Sequence, residues 1–254
     1  MTTGMTGAGG GGKPFEVRRE FEVDAGPQQV WDAVTQGSGG WLWPMEYEPK
    51  EGGEGPFASV LTVWDPPRRL VARSDDPAAL PPVQSLNQLD WTVEPRDGGS
   101  RSWVRYVHSG VFTADWDANH DAAARHTDFY LHTLRQYVTY FAGRPVAFAT
   151  FDGPAASAGP EALTAVGRAL NLPGDAEDGA RVRVQGPAGR ALDAVLDYRD
   201  AHFLGLRTDD ALYRFFGRGR WGAPVGVSVH DFAADADAGR NEAEWGDWLA
   251  QIFA

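Results

Sequence analysis

His108, Arg19 and Thr127 are the side chains through which this sequence could do chemistry, each a polar group set in an apolar pattern. In the run 101–112, Val104, Tyr106, His108 and Phe112 fall on one face of an alternating strand. An imidazole on an apolar-aromatic face can orient a ligand or transfer a proton, and it can equally be a satisfied structural group at a strand end. Arg19 stands among Phe15, Val17, Phe21 and Val23 on an inward face. Burying an unpaired guanidinium costs several kcal/mol, so it must pair with a carboxylate, reach solvent or meet an anionic ligand. Of the tryptophans, Trp31, Trp64, Trp245 and Trp248 read as core, whereas Trp43 and Trp91 are candidates to line a cavity.

Other patterns carry less. His120, His126 and His132 recur every six residues, which turns each about 240° around a helix from the last and gives no metal-binding pair. Asp128 and His132, four apart, read as a surface ion pair. Cysteine is absent and no Ser/His/Asp arrangement is visible, so no catalytic residue, metal site or cofactor is assigned. The run 7–13 fits a phosphate-loop spacing, but Pro14 stands where a magnesium-binding hydroxyl belongs and no strand precedes it. The run 217–222 fits G-x-G-x-x-G, yet a strand pattern follows in place of the helix that a dinucleotide site requires, so it reads as a hairpin loop.

The elements that must hold these groups fall into two series. In the first, the alternation at 15–23 predicts a strand, and Pro27 opens a helix through Thr35 with Val30, Trp31 and Val34 on its buried stripe. Strands are predicted at 43–50, 57–64, 69–73, 86–94 and 101–112, with Asp97-Gly98-Gly99 as a hairpin turn. One long helix is predicted over 115–141, its stripe formed by Ala124, Thr127, Leu131, Leu134, Val138 and Phe141. The second series predicts strands at 146–151, 181–184, 191–198, 202–207 and 225–230, with helices at 159–172 and 242–253. The run 209–217 fits either strand or helix.

Several segments of the first series resemble one family. Phe21-Glu22-Val23-Asp24-Ala25 with Pro27, Val30 and Trp31, then residues 62–70, then His108-Ser109-Gly110, then Leu131, Leu134 and Tyr137, are similar to the SRPBCC superfamily. The likeness is to its branch around the activator of the heat-shock-90 ATPase, and it covers about residues 15–142. It implies an α+β helix-grip fold, a curved antiparallel sheet around a long C-terminal helix with a cavity between them. The branch's Gly-Trp pair is replaced here by His126 and Thr127, which implies a more open cavity with the Thr127 hydroxyl on its wall and His108 opposite. The expected organisation is a disordered Gly-rich tail at 1–13, the helix-grip domain at 15–142 and a smaller α+β domain at 146–254.

Charge narrows the partners. The chain has 254 residues, 35 acidic against 23 basic, a formal net charge of −12, and no basic block suited to nucleic acid or an anionic membrane. With no membrane-length apolar run and no secretory signal, a cytoplasmic protein is expected. The expected partner is a small apolar or amphipathic molecule, with Arg19, Trp43, Trp91, Tyr106, His108 and Thr127 as candidate contacts. Two rival readings stay open: an enzyme of the cyclase, isomerase or hydrolase type using His108, and a co-chaperone-like module that binds another protein.

Overall fold

Strict alternation makes Lys13–Val23 a strand, β1, with Phe15, Val17 and Val23 buried and the four intervening charges exposed. The computed structural model describes residues 12–76 and 78–254, so most of the glycine-rich segment lies outside the described residues. Pro27, which has no N–H to leave unpaired, opens α1 (Pro27–Thr35), and Val30, Trp31 and Val34 form its buried face. Then come β2 (Glu54–Gly55), β3 (Ser59–Asp65), β4 (Arg69–Ser74), β5 (Gln84–Arg96) and β6 (Arg101–Phe112). The β5–β6 turn needs left-handed backbone at Asp97, Gly98 and Gly99, which explains its two glycines. All neighbours pair antiparallel, giving the order β1-β6-β5-β4-β3-β2. The long helix α2 (Trp116–Tyr140) follows.

A second antiparallel sheet is built from β7 (Ala147–Asp152), β8 (Arg181–Gln185), β9 (Ala191–Arg199), β10 (Phe203–Arg207), β11 (Ala211–Phe216) and β12 (Gly226–Asp231), in the order β7-β12-β11-β10-β9-β8. Two helices accompany it, α3 (Ala162–Ala169) and α4 (Ala238–Ile252). The Asp237 side chain caps α4 by accepting from the Arg240 amide at 2.7 Å. On one face of this sheet Val184, Leu196, Leu206, Phe215, Val227 and Val229 form a core with Val166 of α3 and Trp245 and Leu249 of α4. The fold is α+β, and the first sheet with its long closing helix has the helix-grip order of elements.

The described residues divide into two compact units. One holds those through Thr35 together with Met45–Asp128, and the other holds Gln36–Pro44 and Phe129–Ala254. The division falls inside α2, so one helix serves both. In the first unit, Trp116, Ala123 and Ala124 of α2 cover Phe15, Val17 and Phe112.

Three local expectations change. Residues 43–50 form no strand: Pro44 offers no N–H to a ladder, and turns close around Lys50 and Gly53 instead. Residues 209–217 resolve as β11. The helix expected over 159–172 shortens to α3, because one turn of 3-10 helix at Ala155–Ala158 precedes it and Asn171, with φ 54°, ends it. The run 217–222 is the β11–β12 loop, as its following strand pattern implied.

Gly110 shows how tightly β5 and β6 approach. A Cβ there would stand 2.0 Å from the Leu86 carbonyl oxygen and 2.9 Å from the Phe15 ring. Backbone cannot step aside cheaply, so Gly110→Ala is expected to lower unfolding free energy by about 1–3 kcal/mol, read from the urea midpoint.

Candidate functional site

Register places the candidates of the first unit in rows across β1, β6, β5 and β4. Val17, His108, Leu89 and Ala72 form one row, and Arg19, Tyr106, Trp91 and Leu70 form the next. Paired residues share a sheet face, so His108, Tyr106 and Trp91 stand together. The Trp91 and Tyr106 rings lie 4.4 Å apart, and Phe15 meets the His108 ring edge-on at 5.0 Å.

His108 is tied down from one side only. Its Nε2 lies 2.7 Å from Asn87 Oδ1, which also accepts from Gln84 Nε2 at 3.1 Å. A carbonyl oxygen only accepts, so the imidazole donates through Nε2 and keeps its lone pair on Nδ1. No described residue donates to that Nδ1. Burial disfavours the cation and pushes the ring's pKa down to about 4, so His108 is neutral at pH 7.

The other candidates separate. Arg19 donates through Nη2 to Asp128 Oδ2 at 3.0 Å and through Nε to Oδ1. That hydrogen bond raises the guanidinium's pKa against the opposing effect of its burial. Asp128 is thus Arg19's partner and not the i,i+4 partner of His132, a correction to the surface pair read from spacing. His126 turns back on its own helix, with Nδ1 at 2.8 Å from the Ala122 carbonyl, and Thr127 is buried. Trp43 belongs to the second unit, where it meets Tyr130 edge-on at 5.8 Å.

The second unit holds a charged group that the sequence reading passed over. In β11, Ala211, Tyr213 and Phe215 face the α3–α4 core, which leaves Leu212, Arg214 and Phe216 on the opposite face. Arg214 and Asp197 have side chains 1% and 3% exposed. They are bidentate, Nη1 to Oδ1 at 2.9 Å and Nη2 to Oδ2 at 2.7 Å, and Arg214 Nε donates to Thr133 Oγ1 at 2.9 Å. His132 Nε2 lies 3.3 Å from Asp197 Oδ2. A bulge makes the meeting possible: Gly205 pairs with Tyr198 and Leu206 with Leu196, so Asp197 is the extra residue in β9. A Cβ on Gly205 would come within 2.7 Å of both Arg214 Nη1 and Asp197 Oδ1.

Burial alone would raise the Asp197 pKa, but Arg214 and the His132 hydrogen bond together bring it below the usual carboxylate range. A carboxylate committed on both oxygens is a framework group, not a free acid or base. Two signals pointed to it: an arginine inside the apolar run of β11, and a glycine between Leu204 and Leu206. His230 is a second buried imidazole here, Nδ1 at 2.8 Å from the Gly39 carbonyl, with burial pushing its pKa to about 3.

Among the described residues no group of three His, Cys, Asp or Glu could hold a metal ion, and no helix is long and apolar enough to cross a membrane. No family model and no curated protein matches the chain. Solved structures do show likenesses. CalU16 from Micromonospora echinospora is 15% identical, over 50% of this chain and 83% of its own, with a TM-score of 0.39. The Aha1 dimer from Colwellia psychrerythraea is 15% identical, over 49% of this chain and 96% of its own, with a TM-score of 0.37. DynU16, from the dynemicin biosynthetic locus, is 13% identical, over 94% of this chain and 95% of its own, with a TM-score of 0.37.

Proposed function

We propose that the protein binds a small apolar or amphipathic molecule against the inner face of the first sheet. In this reading Trp91 and Tyr106 supply aromatic surface and His108 fixes orientation by accepting a hydrogen bond at Nδ1. The observation that supports it is the His108–Asn87–Gln84 chain, in which Asn87 Oδ1 accepts from Nε2 and Nδ1 has no protein donor. A mostly apolar surface with a few fixed polar groups is what small-molecule sites use.

The same geometry favours binding over catalysis. A group with a pKa of about 4 holds no imidazolium at pH 7 to act as a general acid and is too weak a base to take a proton well. Its hydrogen-bond partner is an amide, which cannot raise that basicity as a carboxylate would.

A matched pair of probes tests the proposal. The protein is expected to bind 2-naphthol several-fold more tightly than 2-methylnaphthalene, the worth of about 1 kcal/mol for one hydrogen bond. His108→Phe is expected to erase that preference while retaining affinity for the hydrocarbon. Absence of binding by either probe, with no small molecule retained in native mass spectrometry, defeats the proposal.

A further inference from the structure

A second concave surface lies on the second unit, where α3 faces the turn joining β9 and β10. It encloses about 260 Å³, and Leu163, Gly167, Leu172, Phe203 and Leu204 give it an apolar floor and wall. Arg168 and Arg199 stand at its margin with Asp200.

The charges are unequal. Arg168, exposed on α3, makes no ion pair or side-chain hydrogen bond with a described residue. Arg199 donates to the carbonyls of Pro173 and Gly174 at 3.1 and 3.3 Å, neutral acceptors that leave its positive charge uncompensated. Asp200 is turned to its own loop: Oδ1 accepts from the amides of His202 and Phe203, both at 2.7 Å, and Oδ2 from the Tyr198 hydroxyl at 3.4 Å. Two guanidiniums against the one carboxylate of Asp200, whose oxygens face its own loop, leave the groove margin net positive in a chain of net charge −12, which is complementary to an anion.

Two glycines set the shape. Gly167 lies within α3 and Gly174 lies in the loop that follows, and neither adopts positive φ. A Cβ at either would meet nothing within 4 Å. Neither backbone conformation nor packing within the chain therefore requires glycine there, and in a helix glycine is a poor choice. What their absent side chains provide is room in the groove.

We infer that this groove is a binding site for a small carboxylate with an apolar body, the carboxylate held by Arg168 and Arg199 and the body laid over Gly167 onto Leu163, Leu172 and Phe203. The site is separate from the one on the first sheet.

Titration of the ¹⁵N-labelled full chain with 3-phenylpropanoate, 3-phenylpropanol and inorganic phosphate tests this. The carboxylate is expected to shift the Gly167, Gly174 and Leu204 amides saturably, at least fivefold more tightly than the alcohol, with phosphate weaker than both. Arg168→Gln is expected to weaken the carboxylate at least fivefold. Gly167→Leu, which keeps a good helix former and fills the open space, is expected to block it without lowering the melting temperature. If the alcohol binds as well as the carboxylate, if phosphate matches it, or if both variants bind like the parent, the inference is wrong. If Gly167→Leu unfolds, the Arg168→Gln result decides alone.

Discussion

Replacing Arg214 by methionine is expected to cost about 3–5 kcal/mol of stability, because it leaves the buried Asp197 carboxylate with only the His132 imidazole beside it and no permanent cation. Asp197→Leu should cost a similar amount by stranding the guanidinium. The double variant Asp197→Leu/Arg214→Met is expected to recover most of the loss, since it removes both charges and fills the space with apolar groups. Urea unfolding of the four proteins at pH 7 gives the coupling directly. Additive losses in the double variant would mean that the pair is not the source of the effect.

Acid should unfold the protein earlier than an ordinary acidic chain. His108 and His230 have folded pKa values of about 4 and 3, below the unfolded histidine value of about 6.5. Below that unfolded value the unfolded chain binds protons that the folded chain refuses, so stability falls as pH falls. Each imidazole is expected to remove about 2 kcal/mol by pH 5, with the loss complete near its folded pKa. The Asp197 contribution is present above the unfolded aspartate value and disappears only as pH falls through its lower folded one, so it adds at the acid end. Denaturation midpoints measured from pH 7 to pH 4 should drop steeply, with close to two protons taken up on unfolding. His230→Asn, combined with His108→Asn, should flatten that slope. A midpoint unchanged between pH 7 and pH 5 would show that these imidazoles are not held neutral.

Much of this architecture was legible because local pattern and final packing agree. The alternation of β1, β5 and β6 and the stripe of α2 are short-range signals that survive in the folded chain. The face shared by Tyr106 and His108 follows from counting along one strand. What escaped depends on partners distant in sequence. Asn87 is 21 residues from His108, Asp128 is 109 from Arg19, and Asp197 is 17 from Arg214 across a bulge. A bulge resets which face a residue takes, and no periodicity announces it. Residues 43–50 misled for the opposite reason: the pattern suits a strand, but Pro44 has no N–H to give and the backbone bond of Glu48 to Glu54 is not extended into a ladder.

The segment Gln36–Pro44 has a consequence for synthesis. It is made early, between two stretches of the first unit, yet it belongs to the second. The hydrogen bond that His230 makes with Gly39 spans 191 residues, and Gly40 sits where a Cβ would strike the Tyr137 ring, so the glycine turn fits only a completed neighbour. At about 5–20 residues per second, Gly39 waits roughly 10–40 s for His230 to leave the ribosome. A chain terminated before β12 never supplies that partner, so late truncations leave the turn at Ser38–Gly40 unseated however much of the protein precedes them.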